Sequence, residues 1–184
     1  EKCFGVQLAA LQVEEALTAA KMAQDMGADF IDLNCGCPID DVVRRGLGSA
    51  LLRRPKALFR LVEHLATHLE IPVTVKIRVG FKEGEENALE IAQGVEAAGA
   101  KVLTIHGRTR EQRYSRAANW ALIGEIASQV KIPVVGNGDI LTWYEAESRK
   151  EIAKVKSVML GRGALIKPWL FQEIREGRTC NFSA

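Results

Sequence analysis

The fold class is decided by two short β-rich runs, Phe30-Ile31-Asp32-Leu33-Asn34 and Val73-Thr74-Val75-Lys76-Ile77-Arg78. Between them, apolar residues recur at intervals of three and four from Leu58 to Leu69, which predicts a helix with one apolar face. Pro55 suits the first turn of that helix. A strand, a helix and a second strand in this order predict a β-α-β unit with parallel strands.

The same alternation extends in both directions along the chain. Further strands are predicted at Phe4–Leu8, Val102–His106, Val134–Gly136 and Val158–Leu160. Further helices are predicted from Val13 to Gly27, from Asn87 to Gly99, from Trp120 to Val130, after the capping box Thr142/Glu145, and from Pro168. Six strands that alternate with helices predict a parallel sheet with right-handed crossovers.

Internal repeats favour a TIM-type (β/α) barrel over an open sheet. Gly-Ala precedes the strands at Phe30 and Val102, and Ile-Pro precedes the strands at Val73 and Val134. A complete barrel has eight units in about 250 residues, so six units in 184 residues are expected to be a barrel fragment that lacks two. The first residue, Glu1, is expected to be a cut or processed end. The alternative is a complete doubly wound domain of flavodoxin type.

Composition excludes several classes of protein. Hydrophobic residues make up 47% and charged residues 26%, as in an ordinary globular chain, and the net charge of +2 indicates no global affinity for nucleic acid. The sequence has no run of about 18 apolar residues, so no membrane span is predicted, and no signal peptide is visible. Four cysteines are too few for a disulfide framework, which suits a reducing, intracellular compartment.

Each predicted strand ends in polar or reactive residues. Along the chain these ends are Gln7, Asn34 to Pro38, Lys76 to Arg78, His106 to Arg108, Gly136 to Asp139 and Gly161 to Gly163. In a (β/α) barrel the functional groups lie at the C-terminal ends of the strands, so these residues are expected to form one site. The last two ends are rich in glycine and occupy the usual phosphate-binding position of the fold, where Arg162 can add a charged fork.

Three side chains at these strand ends could take part in ligand binding or catalysis, and each could instead have only a structural role. Lys76 can meet an anion or an electron-rich ring, act as a Schiff-base lysine, or reach solvent. His106 can donate to a cofactor ring or be a structural histidine. Cys37 can be a nucleophile, a general acid or a small buried thiol. The C-x-C spacing of Cys35 and Cys37 is not the usual zinc spacing, and no metal site is predicted.

Arginines concentrate in two of the loops. Arg108, Arg110, Arg113 and Arg116 fall within nine residues, while Arg44-Arg45 and Arg53-Arg54 follow Cys37. Such clusters position a polyanion across a catalytic face, or they are solvated surface arginines.

At this point the chain resembles the tRNA-dihydrouridine synthases. The resemblance lies in Ile31 to Pro38, Val75 to Arg78, Ile105 to Thr109, Gly136 to Asp139 and Met159 to Leu165, in order. Pro38-Ile39-Asp40 and Arg110 to Tyr114 are most similar to the eukaryotic branch that acts on the tRNA variable loop. The family usually has Asp where Asn119 stands and a glycine-containing entry where Lys154-Val155-Lys156 stands.

The resemblance implies a function and a set of roles. It implies FMN-dependent reduction of uridine to 5,6-dihydrouridine in tRNA, with NADPH as reductant, in the cytoplasm or nucleus. Cys37 would donate the proton. The resemblance implies that the flavin ring is contacted by Gln7, Lys76 and His106. It implies that the ribityl-phosphate is held by Asn137, Gly138, Asp139, Gly161 and Arg162. It implies that the uracil or the RNA backbone is contacted by Asn34, Arg78 and Arg108.

The family also has parts that this sequence does not show. It begins with two more βα units and ends with a helical RNA-binding domain, so residues 1–184 are expected to be a partial catalytic barrel. The competing functions are reduction of a free pyrimidine by an FMN barrel, a Schiff-base aldolase that uses Lys76, and an inactive truncated barrel that contributes only RNA binding. No oligomeric state is predicted.

Overall fold

The computed structural model describes residues 3–180, which form one parallel sheet of six strands. The strands are β1 (Gly5–Leu8), β2 (Phe30–Cys35), β3 (Val73–Gly80), β4 (Val102–Thr109), β5 (Val134–Asn137) and β6 (Ser157–Met159). They pair strictly in chain order, so β1 and β6 are the edges of the sheet. A flavodoxin-type sheet reverses its strand order, and this sheet does not.

Helices connect the strands. They are α1 (Val13–Asp25), α2 (Asp40–Arg44), α3 (Pro55–His68), α4 (Ala88–Ala97), α5 (Trp120–Ala127), α6 (Trp143–Ala153), α7 (Arg162–Ile166) and α8 (Leu170–Glu176), with a 3-10 helix at Gly48–Arg53. From α1 and α3 through α4, α5 and α6, each long helix packs against the next one along the chain. A single layer of helices outside a sheet in sequential order is the architecture of a partial TIM barrel, which confirms the predicted fold class.

The two faces of the sheet differ in chemistry because successive side chains point to opposite sides. Ile31, Leu33 and Cys35 of β2 are buried in the core, together with Val75 and Ile77 of β3. The alternate positions carry Asp32, Asn34, Thr74, Lys76, Thr104 and His106. Asp32, Thr74 and Thr104 therefore place polar side chains on the inner face below the strand ends.

Several boundaries differ from the prediction. β3 and β4 continue through Gly80 and Thr109, so Arg108 belongs to a strand and not to a loop. Gly107 permits this continuation because a Cβ there would lie 2.8 Å from the backbone nitrogen of Asn119. Val130 lies beyond the end of α5, and Pro168 precedes α8 by a turn. The short helices α2 and α7 and the 3-10 helix were not predicted.

The predicted helix ends are confirmed. Gly27 and Gly99 adopt φ values of 93° and 99°, the left-handed conformation that suits glycine after a helix. Thr142 and Glu145 form the capping box of α6. Asn119, which stands where the family usually has Asp, caps α5 by accepting a hydrogen bond from the backbone nitrogen of Leu122 at 3.0 Å.

Between residues 3 and 180, no helix is long and apolar enough to cross a membrane. All four cysteines are unpaired thiols. Glu1, the residue predicted to be a processed end, lies outside the described residues.

Candidate active site

A cleft of about 870 Å³ opens at the C-terminal ends of the strands. The twelve residues to which the family resemblance assigns roles line this cleft. They are Gln7, Asn34, Cys37, Lys76, Arg78, His106, Arg108, Asn137, Gly138, Asp139, Gly161 and Arg162. Other residues of the predicted strand ends do not line it, namely Cys35, Ile77, Gly107 and Gly136. The parallel strands bring these side chains together because their C-terminal ends meet at one edge of the sheet.

A hydrogen-bonded chain of polar side chains crosses the inner face from β1 to β3. The Nε2 of Gln7 donates to Asp32 at 2.7 Å, and the Nδ2 of Asn34 donates to the Oε1 of Gln7 at 2.9 Å. The hydroxyl of Thr74 donates to the other oxygen of Asp32 at 2.6 Å. These bonds fix the side chains of Gln7 and Asn34 at the floor of the cleft.

The turn that carries Cys37 is held from two sides. The Oδ1 of Asn34 accepts hydrogen bonds from the backbone nitrogens of Gly36 and Cys37, at 3.3 and 3.0 Å. Gly48 packs against the turn, where a Cβ would lie 2.9 Å from the Cβ of Cys37, and its φ of 60° also requires glycine. Cys37 is consequently positioned in the cleft.

Cys35 has a different environment, although it is only two residues away. Its side chain is fully buried in the core. Burial, with a smaller contribution from Asp32, raises the pKa of its thiol far above the ordinary value. The structure therefore distinguishes the two cysteines, with only Cys37 lining the cleft.

Arg78 joins the loops that follow β2 and β4. Its Nε donates to the carbonyl of Gly36 at 2.9 Å, and its Nη1 donates to the carbonyl of Thr109 at 2.8 Å. The residue is only 2% exposed. Arg78 thus lines the cleft while its donors hold loop backbone, which makes it a positioning residue for the Cys37 turn.

Lys76 and Asn137 connect the floor of the cleft to β5. The ammonium of Lys76 donates to the Oδ1 of Asn137 at 3.3 Å, and Asn137 donates to the carbonyl of Met159 at 2.8 Å. Burial, together with the positive charge of Arg78, lowers the pKa of Lys76. The lowered pKa brings the ammonium closer to deprotonation, and while it is protonated Lys76 is a hydrogen-bond donor at the floor of the cleft.

His106 is a neutral imidazole at physiological pH. Burial lowers its pKa to about 3, with further contributions from the positive charges of Arg78, Lys76 and Arg108. The Nε2 of His106 lies 3.3 Å from the Nη1 of Arg108, which can only donate. This contact assigns the imidazole proton to Nδ1, so His106 can donate one hydrogen bond from that nitrogen.

Asp139 neutralises the buried guanidinium of Arg108. Nη2 of Arg108 donates to both carboxylate oxygens at 2.7 Å, and the backbone nitrogen of Ala118 donates to Oδ2 at 2.8 Å. Burial alone would raise the pKa of Asp139, but these hydrogen bonds outweigh it and the pKa is lowered. An anionic ligand can therefore be bound only by the backbone of Asp139, since its carboxylate is negative and already paired.

The glycines of the last two loops serve different purposes. A Cβ at Gly136 would lie 2.2 Å from the ring of Trp120, and one at Gly163 would lie 2.2 Å from the carbonyl oxygen of Ile140. These two glycines permit packing, which the sequence did not distinguish from ligand approach. A Cβ at Gly161 would meet nothing within 4 Å, so this glycine borders open space in the cleft.

Arg162 lies at the rim beside Gly161. Its guanidinium is 4.2 Å from the ring centre of Tyr114 and 3.5 Å from Asp139, and the side chain is 56% exposed. Its long, exposed side chain places a positive charge next to the open backbone of Gly161, within reach of an anionic ligand in the cleft.

Most of the predicted arginine cluster is paired with acidic side chains. Asp40 contacts both Arg110 and Arg113, Arg116 lies 3.9 Å from Glu83, and Arg44 pairs with Asp41. Arg53 packs over the ring of Phe81 at 4.3 Å. The arginine loop does border the cleft, as predicted, through Tyr114 and Arg116.

Sequence reasoning did not assign several residues that line the cleft. They include Tyr114, Ile140, Glu145, Arg149 and Met159. Glu145 and Arg149 belong to α6, and only their position on one face of that helix could have indicated them. Between residues 3 and 180, no group of three or more histidine, cysteine or acidic side chains is arranged to hold a metal ion.

Known proteins resemble this chain over nearly its whole length. A family model described as dihydrouridine synthase matches residues 1–182. A protein of Coprinopsis cinerea named tRNA-dihydrouridine(47) synthase [NAD(P)(+)] is 42% identical over 100% of this chain and 29% of its own length. A probable tRNA-dihydrouridine synthase of Rhodobacter capsulatus is 43% identical over 92% of this chain and 52% of its own length. The chain thus spans from under a third to about half the length of these relatives.

Solved structures support the fold. Histamine dehydrogenase from a Rhizobium species has a TM-score of 0.65 at 20% identity, over 90% of this chain and 27% of its own. An enolase-superfamily protein of Listeria innocua has a TM-score of 0.64 at 10% identity, over 95% of this chain and 39% of its own. Because the family model matches almost every residue, the chain belongs to the dihydrouridine synthase family.

Proposed function

We propose that this chain is the catalytic portion of an enzyme that reduces uridine in tRNA to 5,6-dihydrouridine, with FMN as cofactor and NADPH as the source of electrons. One observation carries the proposal: the twelve residues that the family resemblance selects from six separate strand ends line a single cleft. Family membership and the names of the relatives support the same reaction.

The cleft fits an FMN phosphate at its β5–β6 end. Gly161 leaves its backbone open to the cleft, and Gly138 and Asp139 have φ values of 131° and 52° that turn successive backbone groups. Turned backbone N–H groups of this kind form anion-binding concavities. Arg162 supplies the positive charge, so this end would hold the ribityl-phosphate.

The floor of the cleft fits the flavin ring. Gln7, Lys76 and His106 all project from the inner face of the sheet, and the neutral His106 and the ammonium of Lys76 are hydrogen-bond donors. When bound, reduced FMN supplies the hydride for one carbon of the uracil 5,6 double bond. The donors of Lys76 and His106 would hold the flavin ring at the floor of the cleft.

Cys37 supplies the proton for the other uracil carbon. A thiol carries a transferable proton at neutral pH, and general acids of this kind accelerate reactions by about 10²–10⁴-fold. The hydrogen bonds from Gly36 and Cys37 to Asn34 hold the turn that aims this thiol into the cleft. Asn34 borders the same space and would contact the uracil or the RNA backbone.

Arg108 is only 3% exposed and is bonded to Asp139 and to the carbonyl of Arg116. It would therefore, like Arg78, hold the surroundings of the substrate instead of touching it.

The free edges of the sheet at β1 and β6 support a barrel that two further βα units would complete. We infer a helical RNA-binding domain as well, from the family resemblance alone. The variable-loop branch is favoured by Pro38-Ile39-Asp40 and by Arg110 to Tyr114, and the (47) in the name of the fungal relative agrees with it. Such an enzyme would act where tRNA is made or used, in the nucleus or cytoplasm.

The reaction is tested with a complete-barrel form of the protein, in which the two further units are present. It should purify yellow with FMN and should form dihydrouridine in unmodified tRNA when NADPH is supplied, as measured by mass spectrometry of the nucleosides. Free uracil and free uridine are the controls. Turnover of the free pyrimidines at a rate equal to that of tRNA would replace this proposal with a free-base reductase.

A further inference from the structure

A carboxylate bridges two arginines beside the cleft, close in sequence to Cys37 and Tyr114, which line it. Asp40, the first residue of α2, contacts Arg110 through Oδ1 and Arg113 through Oδ2, the latter at 2.9 Å. The partners are 70 and 73 residues away along the chain. The contact joins the two segments, residues 38–40 and 110–114, whose sequences most resemble the variable-loop branch.

The two arginines are held in place before any ligand binds. The backbone nitrogen of Arg110 donates to the carbonyl of Gly80 at 2.9 Å, and its guanidinium lies 5.3 Å from the ring centre of Phe81. Within residues 3–180, the buried Nε of Arg110 has no hydrogen-bond partner. The carbonyl of Arg113 accepts from Arg78 at 3.5 Å. The loop that carries the pair is therefore fixed by its backbone, and Asp40 holds the guanidinium of Arg113 beside that of Arg110.

Asp40 contacts the arginine pair as a carboxylate, and a phosphodiester offers an equivalent pair of oxygen acceptors. The side chains of Asp40 and Arg113 are each 56% exposed, so a macromolecular anion can reach them. Asp40 also lies three residues after Cys37, so an anion held here sits beside the turn that carries the thiol.

We propose that Asp40 competes with a backbone phosphate of the bound RNA for Arg110 and Arg113. This inference rests on the proposed function, because it takes tRNA as the macromolecule that enters the cleft. In the free protein the carboxylate covers the arginine pair. When RNA enters, a phosphate replaces the carboxylate, and Asp40 turns to solvent. Asp40 therefore lowers the affinity of every RNA whose phosphate must displace it, and it leaves unchanged the affinity of RNA that places no phosphate here.

RNA is favoured over an acidic protein because the loop that carries the arginine pair also lines the cleft, through Tyr114 and Arg116. Arg116 is more than half exposed and leaves a further cation for the RNA backbone. A nucleotide whose base enters the cleft must leave its backbone phosphates at the rim, whereas an acidic peptide has no group that the cleft requires.

The test compares two neutralised acids in the full chain. Asp40→Asn removes the competing charge, while Asp41→Asn removes the same charge one residue away, where Asp41 pairs with Arg44 instead. Binding of a fluorescent tRNA transcript is measured at several salt concentrations. Asp40→Asn should bind about three- to tenfold more tightly than Asp41→Asn, because two exposed ion pairs no longer compete. Its log–log salt slope should equal that of Asp41→Asn, because a phosphate reaches the two arginines in both complexes and the number of phosphate contacts is the same.

Two further variants make the result specific. Asp40→Glu keeps the carboxylate and should match the wild type, which shows that the charge is what matters. In an Arg110→Ala/Arg113→Ala background, Asp40→Asn should have no effect beyond that of Asp41→Asn. An equal gain for Asp40→Asn and Asp41→Asn, weaker binding by Asp40→Asn, or a gain that persists without the two arginines would overturn the inference.

A short oligoadenylate, which contains no uridine, separates this inference from the proposed function. Asp40→Asn should also gain affinity for oligoadenylate, since the arginine pair binds phosphate. If that gain is present but the complete-barrel protein forms no dihydrouridine, the proposed reaction fails and the competition stands. If polyglutamate gains from Asp40→Asn and RNA does not, the site belongs to an acidic protein and the inference fails.

Discussion

The loops that follow β2 and β4 are held by side chains, whereas the loops that follow β5 and β6 are shaped by backbone. Arg78 and Asp40 hold the first pair of loops through hydrogen bonds and ion pairs. In the second pair, Gly138 turns the chain and Gly161 leaves it open. The difference indicates that the Cys37 side of the cleft is assembled in advance, while the glycine side leaves room for an anion.

The largest expected effect concerns the assembled side. In the complete-barrel form, Cys37→Ala should reduce dihydrouridine formation by about 10²–10⁴-fold, the usual contribution of a general acid. FMN content and its reduction by NADPH should be unchanged, because the glycine side is untouched. Cys35→Ala is the matched control and should stay within a few-fold of wild type, since that thiol is buried in the core. A dead Cys35→Ala or an active Cys37→Ala would assign the proton donor elsewhere.

The next effect concerns the open edges of the sheet. Alone, the 184-residue chain should bind FMN poorly and should aggregate or dimerise, because the backbone groups along β1 and β6 lack the neighbouring strands of a closed barrel. Light scattering and the visible spectrum of the purified chain measure both properties. A monodisperse monomer with a full complement of FMN would show that the six units suffice.

On the glycine side, Arg162→Ala should weaken FMN binding by about 1.5–3 kcal/mol, the contribution of a hydrogen bond to a charged group. Calorimetric titration of the complete-barrel form measures the change. Arg175→Ala removes an exposed arginine from the last turn of α8, outside the cleft, and should leave FMN affinity as it was. If Arg162→Ala also binds FMN normally, Arg162 does not contact the phosphate.

The smallest effect is a pH dependence at the boundary between the two sides. The pKa of His106 is lowered to about 3 in the folded protein, so between that value and its ordinary 6.5 the unfolded chain binds more protons. Stability should therefore fall as the pH decreases through this window, by about 2 kcal/mol between pH 6.5 and pH 5. The lowered pKa of Asp139 also stabilises the folded protein, but this contribution is lost only below the ordinary pKa of 3.8, outside the interval from pH 6.5 to pH 5.

Urea unfolding of wild type and His106→Gln at the two pH values separates this contribution from the rest of the protein. The free energy of unfolding of His106→Gln should change less than that of the wild type between pH 6.5 and pH 5, by the same amount of about 2 kcal/mol. Equal slopes would mean that His106 is not the neutral, buried group that the structure describes.

The fold was predictable because its signals are local. Apolar periodicity identified α3 and β3, and Gly27, Gly99 and Thr142 marked helix ends through their own conformational preferences. Five-residue helices such as α2 and α7 are too short to display a period, so they were missed. Gly107 suggested the end of β4, although it instead permits close packing against Asn119.

The membership of the site was predictable, but its internal connections were not. The rule that parallel strands end at one edge, together with the family resemblance, selected twelve residues from Gln7 to Arg162 that line one cleft, although their roles stay predictions. No local pattern shows that Asp40 meets Arg110, since the two are 70 residues apart. In the same way, the packing of Trp120 on Gly136 depends on tertiary structure, and it changes an expected ligand glycine into a packing glycine.

The most direct test of the account is a single-turnover experiment in which the reduced flavin bound in the cleft reacts with tRNA. The complete-barrel protein is loaded with FMN, reduced with one equivalent of NADPH without oxygen, and mixed with unmodified tRNA while the visible flavin absorbance is followed. The account predicts rapid recovery of the absorbance with one dihydrouridine formed per flavin, and no recovery with free uridine. Recovery that free uridine produces equally well, or tRNA that leaves the flavin reduced, would contradict the claim that this cleft joins flavin, thiol and tRNA uridine.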